Sequence, residues 1–215
     1  MRKLLVLSVA AAAVLLTALP STAAFAATHS VLTTGKVGGA SVKVGATLKG
    51  SLKKGTKATF LTSKSAGVSC KSVTFTDKVT KNPAAPGTAI ESLEKQSFSG
   101  CTVSGIAGAT GVKSVVLTGL PYKTTISGAK GFPVVVFSTK STITLSTVIG
   151  TLSCSYKATT TKGSASNTGQ VITFSKQTFK LSAGPSACPA TGSFSATFGP
   201  VRDMSVKGTP AVFVN

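Results

Sequence analysis

The sequence predicts an all-β protein, an antiparallel β-sandwich, with a β-barrel as the alternative. Three observations point there. Apolar and polar residues alternate with a period of two through most of the chain beyond residue 40, as in "KSVTFTDKVT" (71–80) and "STITLSTVIG" (141–150). That period turns one strand face toward a core and the other toward water. Gly, Pro and Asn gather between these segments in "KKGTK", "KNPAAPG", "SGAKGFP", "KGSASNTG" and "SAGPSACPATG", which are turn compositions. Beyond the leader, no stretch combines helical periodicity with both caps.

In chain order, the strand candidates are "SVKVGATLKG" (41–50), "KSVTFTDKVT", "VKSVVLTGL" (112–120), "STITLSTVIG", "GTLSCSYKATTT" (150–161), "QVITFSKQTFKLS" (170–182), "SFSATFG" (193–199) and "AVFVN" (211–215). "PVVVF" (133–137) is apolar throughout and reads as a fully buried central strand, with Pro133 at its start, where a missing donor does little harm. Residues 82–96 admit two readings. "AIESLEKQ" makes a short helix if Thr88 caps it and Glu91 closes a capping box. As a strand it puts Ile90, Ser92, Glu94 and Gln96 on one face and Glu91, Leu93 and Lys95 on the other.

The chain opens Met-Arg-Lys, runs through an apolar stretch and reaches the small-residue site Ala24-Phe25-Ala26. These are the parts of a secretory signal peptide over residues 1–26, with cleavage before Ala27. "LPSTA" has the look of a sortase signal but lies inside the leader. No later segment is apolar for long enough to span a bilayer, so the expectation is a secreted, extracellular protein without a transmembrane segment in its mature chain. Residues 27–215 suit a single all-β domain, built around one core or as two halves of about 27–138 and 139–215.

Cleavage removes Arg2 and Lys3 and leaves 21 basic against four acidic residues, a net charge of +17 over 189 residues. The acids are Asp77, Glu91, Glu94 and Asp203, while lysines are spread singly, as at Lys43, Lys49, Lys57 and Lys64. This spacing predicts a diffusely basic surface that binds polyanions through a salt-weakened electrostatic attraction. Specific nucleic-acid recognition is not expected: only Arg202 remains as arginine after cleavage, Trp is absent, and Tyr122 and Tyr156 are the two tyrosines.

Four cysteines in an exported chain imply two disulfides. Among three connectivities, Cys70–Cys101 and Cys154–Cys188 is favoured by a repeat in the sequence. The intervals are 31 and 34 residues, and each contains Lys-Gln-Ser/Thr-Phe before its second cysteine, at Lys95–Phe98 and Lys176–Phe179. The economical reading is one structural device used twice, with Phe98 and Phe179 packed on the core near each bridge. The functional reading makes Gln96 and Gln177, with their lysines, paired binding or cross-linking sites. No C-x-x-C pair is present for a metal, and His29, the single histidine, reads as a frayed terminal residue.

Catalysis has little to work with. Four carboxylates and one histidine offer no Ser-His-Asp or Cys-His set. Glu91 and Glu94, three apart, do not face each other across a substrate on either a strand or a helix. "SLKK" (51–54) matches S-x-x-K, but in a turn where solvated lysines are expected. The expectation is a non-enzyme with no catalytic, cofactor-binding or metal residues and no cofactor.

At "GLPY" (119–122), "GTLSCSYKAT" (150–159), "FSATFGPVRD" (194–203) and the terminal "VFVN" (212–215), the chain resembles a group of small exported actinomycete β-rich proteins with paired cysteines. The resemblance covers most of the mature chain. It implies export and a β-rich fold, and it carries over no site residues. The leading expectation is a non-catalytic basic protein that adheres to an anionic extracellular or cell-envelope surface such as the cell wall. The alternatives are a protein-binding module, for instance a protease inhibitor presenting the loop 82–87 or 182–190, and a membrane-active or self-assembling β protein.

Overall fold

The structure is a computed structural model that describes residues 29–215. The leader and the cleavage point before Ala27 lie outside the described residues. The elements that follow are all strands: β1 (Leu32–Thr34), β2 (Ala40–Ser41), β3 (Thr47–Ser51), β4 (Ala58–Leu61), β5 (Gly67–Lys81), β6 (Thr88–Ser104) and β7 (Ala109–Leu117). Then come β8 (Tyr122–Ser127), β9 (Pro133–Thr147), β10 (Gly150–Ser166), β11 (Val171–Ala183), β12 (Thr191–Phe198), β13 (Arg202–Asp203) and β14 (Val212–Val214).

β1 lies between β14 and β2 in a small antiparallel sheet. The other eleven strands form one large antiparallel sheet that folds over onto itself. Its pairing path returns to its start: β4–β5–β6–β8–β9–β10–β11–β12, with β12 paired back to β4. The length of β5 makes this possible, because β4 takes Gly67–Cys70 while β3 takes Thr74–Lys78. β13 extends β3, and β7 runs along β9.

The two layers meet through rings on strands that are not neighbours in the sheet. Phe75 on β5 meets Phe198 on β12 with centroids 5.3 Å apart, and Phe60 on β4 meets Tyr156 on β10 at 4.7 Å. Offset and edge-to-face pairs of this kind add to plain burial. Glycine makes room for two of these rings. Gly50 is the register partner of Phe75, and a Cβ there would overlap its ring; Gly192 does the same under Phe60. The strands of segments 27–138 and 139–215 interleave, β3 with β13, β4 with β12 and β1 with β14, and their buried side chains form one cluster.

Three asparagines complete the small sheet by imitating strand partners. Asn82 accepts from Leu32 N at 2.8 Å and donates to Leu32 O at 2.9 Å and Val42 O at 2.8 Å. Asn167 does the same to Val214, donating to its carbonyl at 2.8 Å and accepting from its N–H at 2.9 Å. The Asn215 side chain accepts from Gly38 N at 2.6 Å and donates to Ser30 O and Thr33 Oγ1, each at 2.9 Å. These bonds give the "VFVN" ending its structural role.

Several elements differ from the expectation. Residues 88–96 are strand: the helix reading fails because β5 and β8 flank this segment and take its backbone bonds on both sides. "SVKVGATLKG" breaks in the middle, where Gly45 adopts φ +88°, a left-handed conformation suited to glycine. "PVVVF" and "STITLSTVIG" merge into β9, and "PVVVF" is not buried throughout. Val134 and Val136 face the core, whereas Val135 and Phe137 are half-buried on the outer face, where Lys123 Nζ lies 5.5 Å from the Phe137 ring centroid. The sequence pattern also passed over β1, β4, β8 and β13.

Candidate functional site

Two of the four acids meet inside the core. On β5 the inward residues are Val73, Phe75, Asp77 and Val79; on β6 they are Ala89, Glu91 and Leu93. The register sets Asp77 opposite Leu93 and Glu91 opposite Val79, so the two carboxyl groups are diagonal neighbours on the inner face. Thr124 on β8 is paired with Glu91 from the other side. Asp77 is 5% exposed and Glu91 2%. Asp77 Oδ1, Glu91 Oε1 and Thr124 Oγ1 have no hydrogen-bond partner among the described residues.

Burial disfavours the charged form of both carboxyl groups. It pushes Glu91 up to about 7 despite the hydrogen bond from its neighbour, and it raises Asp77 well above the usual aspartate range, with the nearby Glu91 charge adding to the effect. Two buried carboxyl groups on neighbouring strands cannot both ionise cheaply. Asp77 and Thr124 line a cavity of about 100 Å³ whose other walls include Phe75, Phe98, Phe174 and Phe198. Glu91 lines a smaller cavity of about 30 Å³, which shares Phe75 and Ile172 with the first. Glycoside hydrolysis needs two carboxyl groups flanking a sugar in an open cleft; these two are walled by phenylalanine inside the core.

The expectation for the acids considered Glu91 with Glu94 and missed Asp77 with Glu91. The signal was in the alternation, because Asp77 and Glu91 each occupy an apolar-face position of their strand. Glu94 is exposed. Asp203 is buried, and its Oδ1 accepts from Ser205 N at 2.9 Å to cap the turn after β13.

The cysteines are joined as Cys70–Cys101 and Cys154–Cys188. Cys70 and Cys101 stand directly opposite each other on β5 and β6, with Cα atoms 3.9 Å apart. Cys154 on β10 instead reaches Cys188 in the connection between β11 and β12, with Cα atoms 5.7 Å apart. The two Lys-Gln-Ser/Thr-Phe motifs share a different device, the β-bulge. Thr76 is opposite Lys95 and Asp77 opposite Leu93, which makes Glu94 the extra residue before the first motif. Ser175 and Lys176 form the irregularity at the second, where Lys176 has φ +49° and its N–H donates to Ser195 Oγ at 2.9 Å. Gln177 is used by the backbone: it accepts from Lys162 N and donates to Ser175 O, both at 2.7 Å. Phe179 is buried and Phe98 half-buried against the core.

His29 is not frayed. Its carbonyl accepts from Ala85 N at 2.7 Å, and its ring lies over Gly38. Among the described residues no cluster of His, Cys, Asp and Glu is suited to a metal ion, and no helix is long and apolar enough to cross a membrane.

The outer surface is almost uniformly cationic. All the basic side chains from Lys36 to Lys207 are exposed, whereas Glu94 is the one exposed acid among the described residues. Lys140, Lys157 and Lys180 lie directly opposite one another on β9, β10 and β11. Like charges in such register repel. At the far end of the β9–β10 hairpin, Val148 and Ile149 are 76% and 95% exposed. No protein family, curated protein or solved structure matches the chain.

Proposed function

We propose that this protein is exported and acts without catalysis, adhering to anionic polymers of the cell envelope through its lysine surface. The observation that carries the reading is the separation of charge: every basic side chain of the described residues points to solvent, while Asp77, Glu91 and Asp203 are buried. A surface with Glu94 as its single exposed carboxylate has almost no internal counter-charge, so it recruits polyanions from outside. The two disulfides are compatible with an oxidising, extracellular compartment. In the lysine row of β9–β11 an anionic chain relieves a repulsion already present.

Binding of the protein to cell walls, washed in steps of rising salt, tests this reading. Release between about 0.1 and 0.5 M salt is expected, as screening shortens to a few ångströms. Retention indifferent to salt, or no retention at low salt, overturns it. A second reading, a membrane-active protein, draws on the apolar Val148–Ile149 tip of the β9–β10 hairpin. Leakage from anionic vesicles that is lost in a Val148→Ser/Ile149→Ser variant would favour it over wall adhesion.

A further inference from the structure

The interior holds a feature for which adhesion has no use. Asp77 Oδ1 and Thr124 Oγ1 both border the cavity of about 100 Å³, and both are buried without a partner among the described residues, as is Glu91 Oε1 beside them. The three follow one another across β5, β6 and β8 on the inner face; a buried polar atom left unpaired is costly, so Asp77 and Thr124 each favour an incoming polar group. The rest of the lining includes phenyl rings and the side chains of Val134, Val136 and Ile143, with Val136 the register partner of Thr124. Thr139, Ser141 and Thr161 also line it, the Thr139 and Thr161 hydroxyls bonded to each other at 3.1 Å; a mostly apolar, preformed cavity with a few polar groups is the usual design of a small-molecule site.

We propose that this cavity binds a small uncharged amphipathic molecule, an aliphatic alcohol of about four or five non-hydrogen atoms, whose hydroxyl donates to Asp77 while its hydrocarbon packs against the rings. Size sets the upper limit, since an apolar cavity of about 150 Å³ accommodates benzene and this one is smaller. Charge argues for an uncharged ligand. An ammonium ion would have to approach a strongly cationic surface and shed its water before reaching the carboxyl pair. An alcohol meets neither cost, and its single O–H suits an Asp77 oxygen that lacks a donor.

Titration of the methyl-labelled protein with isobutanol at about pH 6 tests the proposal, read at the methyl signals of Val134, Val136 and Ile143. The expected result is a saturable shift confined to the cavity methyls. Thr124→Val and Asp77→Leu should each weaken binding about tenfold, the equivalent of about 1.4 kcal/mol or one lost hydrogen bond. Thr124→Val keeps the side-chain shape and carries the test if Asp77→Leu does not fold. Shifts that do not saturate, affinities unchanged in the folded variants, or water signals at Asp77 and Thr124 that persist at saturating isobutanol overturn the proposal. Tighter binding of isobutylammonium than of isobutanol overturns the choice of an uncharged ligand.

Discussion

Glu91 lies between Val79 on β5 and Thr124 on β8, beside the carboxyl of Asp77, and burial lifts it from an ordinary 4.5 to about 7. The consequence is a pH dependence of unusual sign. Below about pH 4.5 the folded and unfolded chains both carry this proton. As pH rises from there to about 7 the unfolded chain releases it and the folded chain does not, so stability falls across that window. The loss is on the order of 3 kcal/mol, and Asp77 adds in the same direction. Thermal unfolding should thus show a higher Tm near pH 4.5 than near pH 8, and Glu91→Gln should flatten the difference. A Tm that rises with pH in the parent protein contradicts this account. Asn82 makes the second prediction at this scale. Asn82→Ala removes its bonds to the buried backbone of Leu32 and Val42 and should cost about 2–4 kcal/mol, read as a shift of the denaturant midpoint. Part of this chemistry was legible in the sequence, since Asp77 and Glu91 interrupt an apolar alternation. The asparagines were not, because Asn82 acts 50 residues from Leu32 and Asn167 acts 47 from Val214.

At the level of elements, the strands whose alternation was clean are present: β5, β7 and β9 to β12 coincide with the segments that alternate. β4 is four residues long, too short for a period of two to stand out. β6 drew a competing helix reading because Glu, Leu, Lys and Gln favour helices, and the pairing with β5 and β8 overrode that preference. The repeated Lys-Gln-Ser/Thr-Phe was visible as a repeat, but its meaning was not. A bulge is defined by the residues opposite it, which the motif does not contain. The bridges near the two motifs also differ in what they hold. Cys70–Cys101 links strands that pair on either side of it, whereas Cys154–Cys188 ties down the connection after β11, where Gly184–Ala187 are exposed. Each closes a loop of comparable length and contributes roughly 3–4 kcal/mol by loop entropy. Cys154→Ser/Cys188→Ser should therefore lose that stability and open residues 184–189 to proteolysis. Cys70→Ser/Cys101→Ser should lose stability without exposing a cleavage site in β5 or β6. Equal protease sensitivity in the two variants would show that the second bridge has no local role.

Over the whole molecule, composition already told of a diffuse positive charge, and the fold sharpens it by withdrawing three of the four acids from the surface. The closing of the sheet was not legible, because β12 returns to β4 across more than half of the chain and no local pattern records that contact. The central claim is that adhesion comes from the lysine surface as a whole. Its most direct test compares wall binding as a function of salt for the parent and two triple variants, Lys140→Gln/Lys157→Gln/Lys180→Gln and Lys53→Gln/Lys54→Gln/Lys57→Gln. Affinity that falls with salt in the parent, and less steeply and by similar amounts in both variants, is the predicted result. Binding abolished by one triple and untouched by the other, or indifferent to salt in the parent, would contradict it.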